Sequence, residues 1–264
     1  MKIISIIQEK GGVAKTTLAV HLAAWLAMKG ERVVLVDVDA QANSTTSLGL
    51  SEEPGIYDLL IRNSSFNEVI RRVNPENFGT PSTEVTGELY VVPSNIETRQ
   101  IPVMITEAGL VREKFSDLDG WADSVIFDTP PTPSLFLSEI YLATDFVIYP
   151  CVCEPYSIEG LQKSMARLQS STKLRQSAGM GSVTPLGIIP TMYRDKTGVH
   201  SLHLAQLREK YGTLVKRELP QRITWSEAAF VQQTVFAYAP DSKAAEDAMN
   251  FAEEIYEQAT AIAG

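Results

Sequence analysis

The sequence predicts one α/β domain over residues 1–264, with a mainly parallel, twisted sheet and helices on both of its faces. Short apolar runs rich in β-branched residues alternate with longer segments of helical periodicity, which is typical of parallel sheets buried on both faces. Two of the runs end in aspartates, at the edge where such sheets bind ligands. With 264 residues, 44% of them hydrophobic, the chain can bury a substantial core, and α/β domains of this length often stand alone.

The first predicted strand and the loop after it carry the clearest chemical signal. Ile3 to Ile7 is an apolar, β-branched run, and Gly11 and Gly12 interrupt it. Glycines let backbone N–H groups converge on a phosphate, and the helix that begins near Lys15 directs its positive dipole end to the same place. Lys15 adds a mobile charge for the β and γ phosphates, and Thr16 supplies a hydroxyl for Mg²⁺. The predicted cofactor-binding residues of this loop are Lys10, Gly11, Gly12, Val13, Ala14, Lys15, Thr16 and Thr17.

The spacing of this loop differs from the usual G-x-x-x-x-G-K-[ST] pattern, because Glu9 and Ala14 hold the two glycine positions. It instead reads K-G-G-x-x-K-T, and its extra lysine, Lys10, resembles the deviant Walker A motif of the ParA and MinD family of ATPases. The resemblance implies a P-loop NTPase fold, ATP and Mg²⁺ as cofactors, and catalytic roles for Lys10 and Lys15. It also implies a homodimer in which Lys10 reaches the phosphates bound by the other subunit. The alternative is a glycine turn with two solvated lysines.

The next two predicted elements are a core helix and a second buried strand. The helix runs from Lys15 to a stop at Lys29-Gly30, and its spacing favours packing roles for His21 and Trp25. The strand runs from Arg32 to Asp39 and would place Asp37 and Asp39 on one face at its carboxyl end.

These two aspartates, with Gln41 and Asn43, resemble the D-x-D-P-Q-G-N segment of the same family, although Ala40 and Ala42 replace its proline and glycine. The resemblance implies that Asp39 orients or activates the attacking water and that Asp37 belongs to the surroundings of Mg²⁺. Both could instead be turn formers that end a strand.

The middle of the chain is less informative. Gly55–Ile61 and Phe66–Val73 are predicted as short helices, Asn74–Gly87 as an exposed loop, and Leu89–Pro93 as a strand. A helix is predicted to start at Pro93 and extend to about Phe115.

A further buried strand, Ser124–Asp128, ends in a carboxylate, and Thr129-Pro130-Pro131 cannot continue it. An acid opposite Thr16 is needed to hold Mg²⁺. Asp128 is therefore a predicted metal residue together with Thr16 and Asp37, and the D-T-P-P ending also resembles the ParA and MinD family. A simple strand terminus is the alternative.

The rest of the chain continues the alternation of strands and helices. Its predicted elements are a strand over Asp145–Pro150, a helix from about Ser157, a strand over Pro185–Met192, a helix over Val199–Tyr211, a strand over Leu214–Leu219 and a helix over Ser242–Ile262. An irregularity is expected at Pro190, which cannot donate to the ladder. By the resemblance, Met192, Leu219 and Pro220 flank adenine, although such residues more often serve only for packing.

Composition excludes several classes of function. No run reaches the ~18 apolar residues of a membrane span, and the first apolar run leads straight into the phosphate loop, unlike a signal peptide. The net charge of -9 argues against a strongly basic nucleic-acid binder. Cys151 and Cys153 suit reduced thiols, so a cytoplasmic location is expected.

The resemblance implies a ParA-type partition ATPase that dimerises on ATP, binds DNA without sequence preference and is reset by a ParB-like partner. It would be a cytoplasmic, nucleoid-associated protein of the short form, and its cargo could be DNA or a protein assembly. Lys196 lies where relatives carry a DNA-binding arginine, and Arg222 could replace a second one that aligns with Thr224. The candidate phosphate contacts are Lys173, Arg175, Arg194, Lys196, Lys216, Arg217 and Arg222.

Two other functions share this fold. A MinD-like membrane ATPase would need a basic amphipathic C-terminal helix, but Phe251–Gly264 contains glutamates and no lysine or arginine, so no membrane partner is expected. An iron–sulfur carrier would use Cys151 and Cys153, but such clusters need four thiolates.

Overall fold

The computed structural model describes residues 1–82 and 84–263, so Thr83 and Gly264 lie outside the described residues. The strands are β1 Lys2–Ile6, β2 Arg32–Asp37, β3 Arg71–Arg72, β4 Glu88–Val92, β5 Ser124–Asp128, β6 Phe146–Val152 and β7 Thr184–Thr191. The helices are α1 Lys15–Met28, α2 Asn43–Ser47, α3 Ile56–Leu60, α4 Phe66–Val69, α5 Pro75–Phe78, α6 Ile101–Met104, α7 Leu110–Ser116, α8 Leu135–Ala143, α9 Pro155–Ser177, α10 Gly198–Tyr211, α11 Thr224–Phe230, α12 Val235–Tyr238 and α13 Lys243–Ala263.

The strands form one sheet in the order β3-β4-β2-β5-β1-β6-β7. Pairing is parallel from β4 to β7, and only β3 runs antiparallel to its neighbour. Ile6 of β1 and Asp37 of β2 both lie level with Asp128 of β5. The predicted α/β fold with a mainly parallel sheet is therefore confirmed, and the carboxyl ends of its three central strands meet at one edge.

The sheet is buried on both faces because alternate residues of each strand enter different clusters. Val33 and Leu35 pack with α1 and α13, while Val34 and Val36 pack on the opposite face with α3, α7 and α8. Helix α1 contacts β2, β4, β5 and α13, and Leu18 to Ala27 are all buried. A helix that is apolar on every side belongs in the interior, so α1 fixes the phosphate loop to the core.

Two predictions between residues 66 and 87 were wrong in part. The helix predicted over Phe66–Val73 ends at Val69, because Arg71–Arg72 pair with β4 as an edge strand. The loop predicted over Asn74–Gly87 contains α5, which Asn74 caps through its side chain and which buries Phe78 completely. Tertiary pairing and packing outweigh local composition in both segments.

The long helix predicted from Pro93 to Phe115 is also wrong. The segment forms a 3₁₀ turn over Ile96–Gln100, then α6 and α7, and α7 starts after Gly109 at φ 96°. That left-handed backbone favours glycine and breaks a continuous helix.

The outer side of β7 corrects two further predictions. Leu214–Leu219 is no strand, since it makes only isolated bridges such as Ile188 to Val215. Pro190 pairs in register with Cys151, and the register shift lies instead between Val147 and Ile148. The carbonyl of Pro190 faces outward and accepts from the Leu219 N–H at 2.7 Å, so its missing N–H does not interrupt the ladder with β6.

Among the helices within the described ranges, none combines the length and the apolarity that a membrane span requires.

Candidate functional site

The loop between β1 and α1 has the backbone of an anion-binding turn. Gly12 and Ala14 have φ of 68° and 67°, and α1 begins directly afterwards at Lys15. Ala14 holds the position where the usual pattern has glycine, and a left-handed alanine costs about 1–2 kcal/mol. Strain of this kind is concentrated at functional sites. Loop and helix start together direct backbone N–H groups toward one point.

The side chain of Lys15 reaches back over this loop. Its ammonium donates to the carbonyl oxygens of Gln8 at 3.1 Å and Lys10 at 3.0 Å. Burial lowers the pKa of Lys15, while the carboxylates of Asp128 and Asp39 oppose that shift. The ammonium therefore lies between the loop backbone and the acidic end of the sheet.

Asp128 is the centre of a cluster of oxygen atoms at the end of β5. Its Oδ2 accepts from Thr16 Oγ1 at 2.7 Å and from Ser44 Oγ at 2.8 Å. Its Oδ1 is buried and has no hydrogen-bond partner among the described residues. Carboxylate and hydroxyl oxygens are the ligands that Mg²⁺ prefers, so the set fits that ion. Sequence reasoning missed Ser44, because no pattern in the polar segment Asn43–Ser47 distinguishes it from its neighbours.

Asp37 lies beside Asp128 and is fully buried. Its Oδ2 accepts from the N–H and the hydroxyl of Thr45, both at 2.9 Å, and its Oδ1 accepts from the Asp39 N–H at 3.2 Å. Burial, and then the charge of Asp128, raise the pKa of Asp37. Asp37 therefore organises the loop after β2 next to the proposed metal residues.

Asp39 lies beyond the strand, because β2 ends at Asp37. The prediction that the two aspartates share a strand face was therefore wrong. The Asp39 carboxylate accepts from the Gln41 N–H at 3.0 Å, which is a turn that pins the side chain. It lines a cavity of about 400 Å³ together with Arg99 and Pro131.

The three residues predicted to flank adenine lie together. Met192, Leu219 and Pro220 line a cavity of about 320 Å³, and its wall includes Ala14 and Thr17 from the loop and α1. Sequence reasoning missed five other lining residues, which come from the segment before α11 and from α11 itself: Gln221, Arg222, Trp225, Ser226 and Ala229.

His21 connects α1 to the wall of this cavity. Its Nδ1 donates to the Thr17 carbonyl at 2.7 Å, and its Nε2 accepts from the Val235 N–H at 3.1 Å. The ring also meets Trp225 edge-on, with centroids 5.0 Å apart. Both nitrogens are satisfied only in the neutral ring, and burial lowers the pKa of His21 to about 4. The predicted packing role of His21 is confirmed.

The contribution of His21 to stability is expected to fall in acid. Its folded pKa of about 4 lies below the unfolded value of about 6.5, so the unfolded chain takes up the proton first and stability declines as the pH drops from about 6.5 toward 4. Between about pH 7.5 and about pH 5 the loss amounts to roughly 2 kcal/mol. Urea unfolding of the wild type and of His21→Gln at both pH values measures this contribution as the difference between the two proteins. The subtraction removes the opposite contribution of Asp37, whose raised pKa stabilises the fold as the pH falls. A difference between the two proteins that is equal at both pH values would contradict the assignment.

The candidate DNA contacts differ in their exposure. Lys173, Arg194, Lys196 and Arg217 are exposed. Two of the predictions were wrong, because the side chains of Arg175 and Lys216 are used inside the protein. Arg175 donates to the carbonyls of Leu142 and Thr144, and Lys216 is buried with its ammonium on Gln258.

Arg222 is only partly exposed. It pairs with Asp247 and lines the cavity beside Met192. Arg222 is therefore less available for contact with DNA than the exposed cations are.

Cys151 and Cys153 are buried free thiols. Burial raises their pKa values to about 12 and about 11, whereas a metal ligand must be a thiolate. Within residues 1–82 and 84–263, no group of three or more histidine, cysteine and acidic side chains could hold a metal ion. Each chain offers two buried thiols, whereas an iron–sulfur cluster needs four thiolates.

Comparison with known proteins agrees with this geometry. The model of the AAA domain family AAA_31 matches residues 1–178. The sporulation initiation inhibitor protein Soj of Bacillus subtilis is 30% identical over 263 residues, covering 96% of this chain and 98% of Soj. The chromosome-partitioning ATPase Soj of Thermus thermophilus is 32% identical over 254 residues, covering 96% of this chain and 94% of that protein.

Two solved structures share the fold. One is a variant of McdA from Cyanothece in complex with ATP, with a TM-score of 0.81 and 18% identity, covering 98% of this chain and 96% of McdA. The other is the septum site-determining protein MinD of Pyrococcus horikoshii with Mg-ADP, with a TM-score of 0.71 and 21% identity, covering 98% of this chain and 97% of MinD. From its phosphate loop, its acidic strand ends and these relatives, the chain belongs to the ParA/MinD family of ATPases.

Proposed function

We propose that this protein is a ParA-type partition ATPase, folded as one domain over residues 1–264, that acts in the cytoplasm on the nucleoid. It dimerises when it binds ATP and Mg²⁺, binds DNA without sequence preference, and hydrolyses ATP when a ParB-like partner stimulates it. The observation that carries the proposal is the meeting of Lys15, Thr16 and the half-satisfied Asp128 carboxylate at the end of the phosphate loop. The partitioning role of the Thermus relative supports the cellular function.

In this proposal the loop binds the phosphates and the cavity of Met192 and Leu219 holds the base. Thr16 and Asp128 hold Mg²⁺, Asp128 directly or through water, and Asp37 supports the site from beside Asp128. Bound Mg²⁺ supplies positive charge that neutralises the phosphate oxygens.

Lys15 stabilises the charge on the β and γ phosphates. Asp39 orients the attacking water and accepts its proton. In the structure the Lys15 ammonium donates to the carbonyls of Gln8 and Lys10, and in this proposal it exchanges these partners for the phosphates.

Lys10 supports the dimer in this proposal. It stands at the start of the loop, outside the buried end that Lys15 occupies, and in this proposal it contacts phosphates bound by a second copy. ATP thereby becomes part of the contact between two chains, and hydrolysis removes that contact.

DNA binding is expected only with ATP and should weaken steeply with salt. The exposed cations Lys196, Arg194 and Arg217 are the proposed phosphate contacts, and each contact in duplex DNA lowers the slope of log affinity against log salt by about 0.9. Lys196→Ala should therefore make the slope shallower by about 2, since a dimer carries two copies. Fluorescence anisotropy on unrelated DNA fragments, with ATP, ADP and no nucleotide, measures this.

Lys243→Ala is the matched control, because Lys243 is exposed on α13 and pairs with Glu246. It should leave the slope unchanged. Binding that does not depend on salt, or that is equal with ADP and ATP, would refute the proposed DNA interaction.

A further inference from the structure

Lys10 has a partner within its own chain. Its ammonium donates to Glu154 Oε2 at 3.0 Å, and Glu154 directly precedes α9. The two side chains keep 31% and 49% of their exposure, so the pair lies at the surface, where a second copy can reach it. Sequence reasoning gave Glu154 no role.

The first half of α9 packs closely on the loop that carries Lys10. A Cβ atom built on Gly160 would lie 2.9 Å from Gln8 Oε1 and 3.7 Å from the Lys10 Cβ. Farther along α9, Ser164 Oγ contacts Gln8 Oε1 at 3.4 Å and accepts from the Glu9 N–H at 3.3 Å. The backbone around Lys10 is therefore held against α9, and a change in the position of the ammonium must come from the side chain.

We infer that Glu154 is a positioning residue that restrains Lys10 in the monomer and must release it before Lys10 reaches a phosphate in the partner subunit. This inference rests on the ATP-dependent dimer of the proposed function. The Lys10 ammonium leaves the Glu154 carboxylate only when a triphosphate offers a stronger negative charge. Glu154 thereby sets how much protein and ATP are needed for dimerisation.

The charges around Glu154 keep it an anion. The hydrogen bond from Lys10 and the charge of Lys10 lower the pKa of Glu154 most, and the charges of His200 and Arg194 lower it further. Arg194 itself donates to Gln221 Oε1 at 2.6 Å, so it has a partner of its own. Glu154 therefore stays ionised when Lys10 leaves, and it can recapture Lys10 once the phosphate is lost.

Glu154→Gln is expected to tighten the dimer formed with a non-hydrolysable ATP analogue and Mg²⁺. An exposed ion pair favours the paired over the unpaired state by a factor of about two to five in the equilibrium constant. Because two such pairs open per dimer, the dimer dissociation constant should fall by about four- to 25-fold. Sedimentation velocity across a dilution series measures this constant, and the analogue separates association from turnover.

Glu159→Gln is the matched control, because Glu159 lies on the same helix and pairs with Lys163. It should leave the dimer constant within about twofold of the wild type. Lys10→Ala should weaken or abolish the dimer, because it removes the lysine that crosses between subunits. Adding Glu154→Gln to Lys10→Ala should not restore the dimer, because the restrained side chain is gone. A role of Glu154 that does not act through Lys10 would strengthen association in both backgrounds.

Two results would overturn the inference in different ways. The first result is a wild-type dimer whose dissociation constant Glu154→Gln leaves unchanged or raises, or a Glu154→Gln effect of equal size in the Lys10→Ala background. Either outcome would refute the restraint and leave the proposed function intact. Absence of a dimer in the wild type and in every variant removes the ATP-dependent dimer and the restraint together.

Discussion

Lys15→Gln is expected to lower the affinity for ATP by about 100-fold or more. A hydrogen bond to a charged group contributes about 1.5–3 kcal/mol, and Lys15 serves two phosphates in the proposed complex, so the loss exceeds ~2.8 kcal/mol, a factor of 100. The ammonium also bridges the carbonyls of Gln8 and Lys10, and the variant loses that closure of the loop. Isothermal titration calorimetry with ATP and Mg²⁺ gives the affinity directly.

Lys29→Gln is a matched control at the far end of α1, where Lys29 lies over the ring of Trp25. It should bind ATP as the wild type does. The melting temperature of Lys15→Gln without nucleotide shows whether the fold is retained, which separates loss of binding from unfolding. A wild-type calorimetric affinity in Lys15→Gln would place the phosphates elsewhere.

Asp39→Ala is expected to slow ATP hydrolysis by about 100- to 10,000-fold, the usual contribution of a general base, while the protein still binds ATP. Phosphate release under saturating ATP measures the rate. Because dissociation follows hydrolysis in the proposed cycle, the variant should accumulate as an ATP-bound dimer in light scattering. The Asp39 carboxylate is held by the Gln41 N–H, so its removal changes this turn and leaves the buried Asp37 in place.

Asp119→Ala replaces an exposed aspartate after α7 and should turn over ATP at the wild-type rate. Normal turnover in Asp39→Ala would remove this residue from the reaction. A variant that neither binds ATP nor dimerises would show instead that the loop after β2 is needed for binding.

The residues of the site that could be predicted are those whose side-chain chemistry suits the site and whose place in the chain follows a recognisable strand or turn. Lys15 follows a glycine turn that follows a buried strand, and Asp128 ends a buried strand that precedes two prolines, so periodicity and composition identified both. Ser44, Glu154 and Trp225 were missed, because each acts through a tertiary contact across more than 80 residues or lies in a segment without periodicity. The distance between Ser44 and Asp128 along the chain is 84 residues.

The errors in the fold have the same origin. Phe78 lies in a segment that reads as loop because of its proline, glycine and serine content, yet packing with α12 and α1 buries it. Residues 71–72 became a strand only because the edge of β4 was available for pairing. Local propensity carries no information on which edge or surface a segment will meet.

Neither outer edge of the sheet suits strand addition from another molecule. On one side β3 has only two residues, both arginine, and short charged edge strands resist intermolecular pairing. On the other side, the carbonyls of Ile188 and Pro190 already accept from residues 216 and 219 of the same chain. The proposed gathering of copies along DNA would therefore not lead to aggregation through the sheet, and the proposed reversible association would use the loops at the carboxyl ends of the strands.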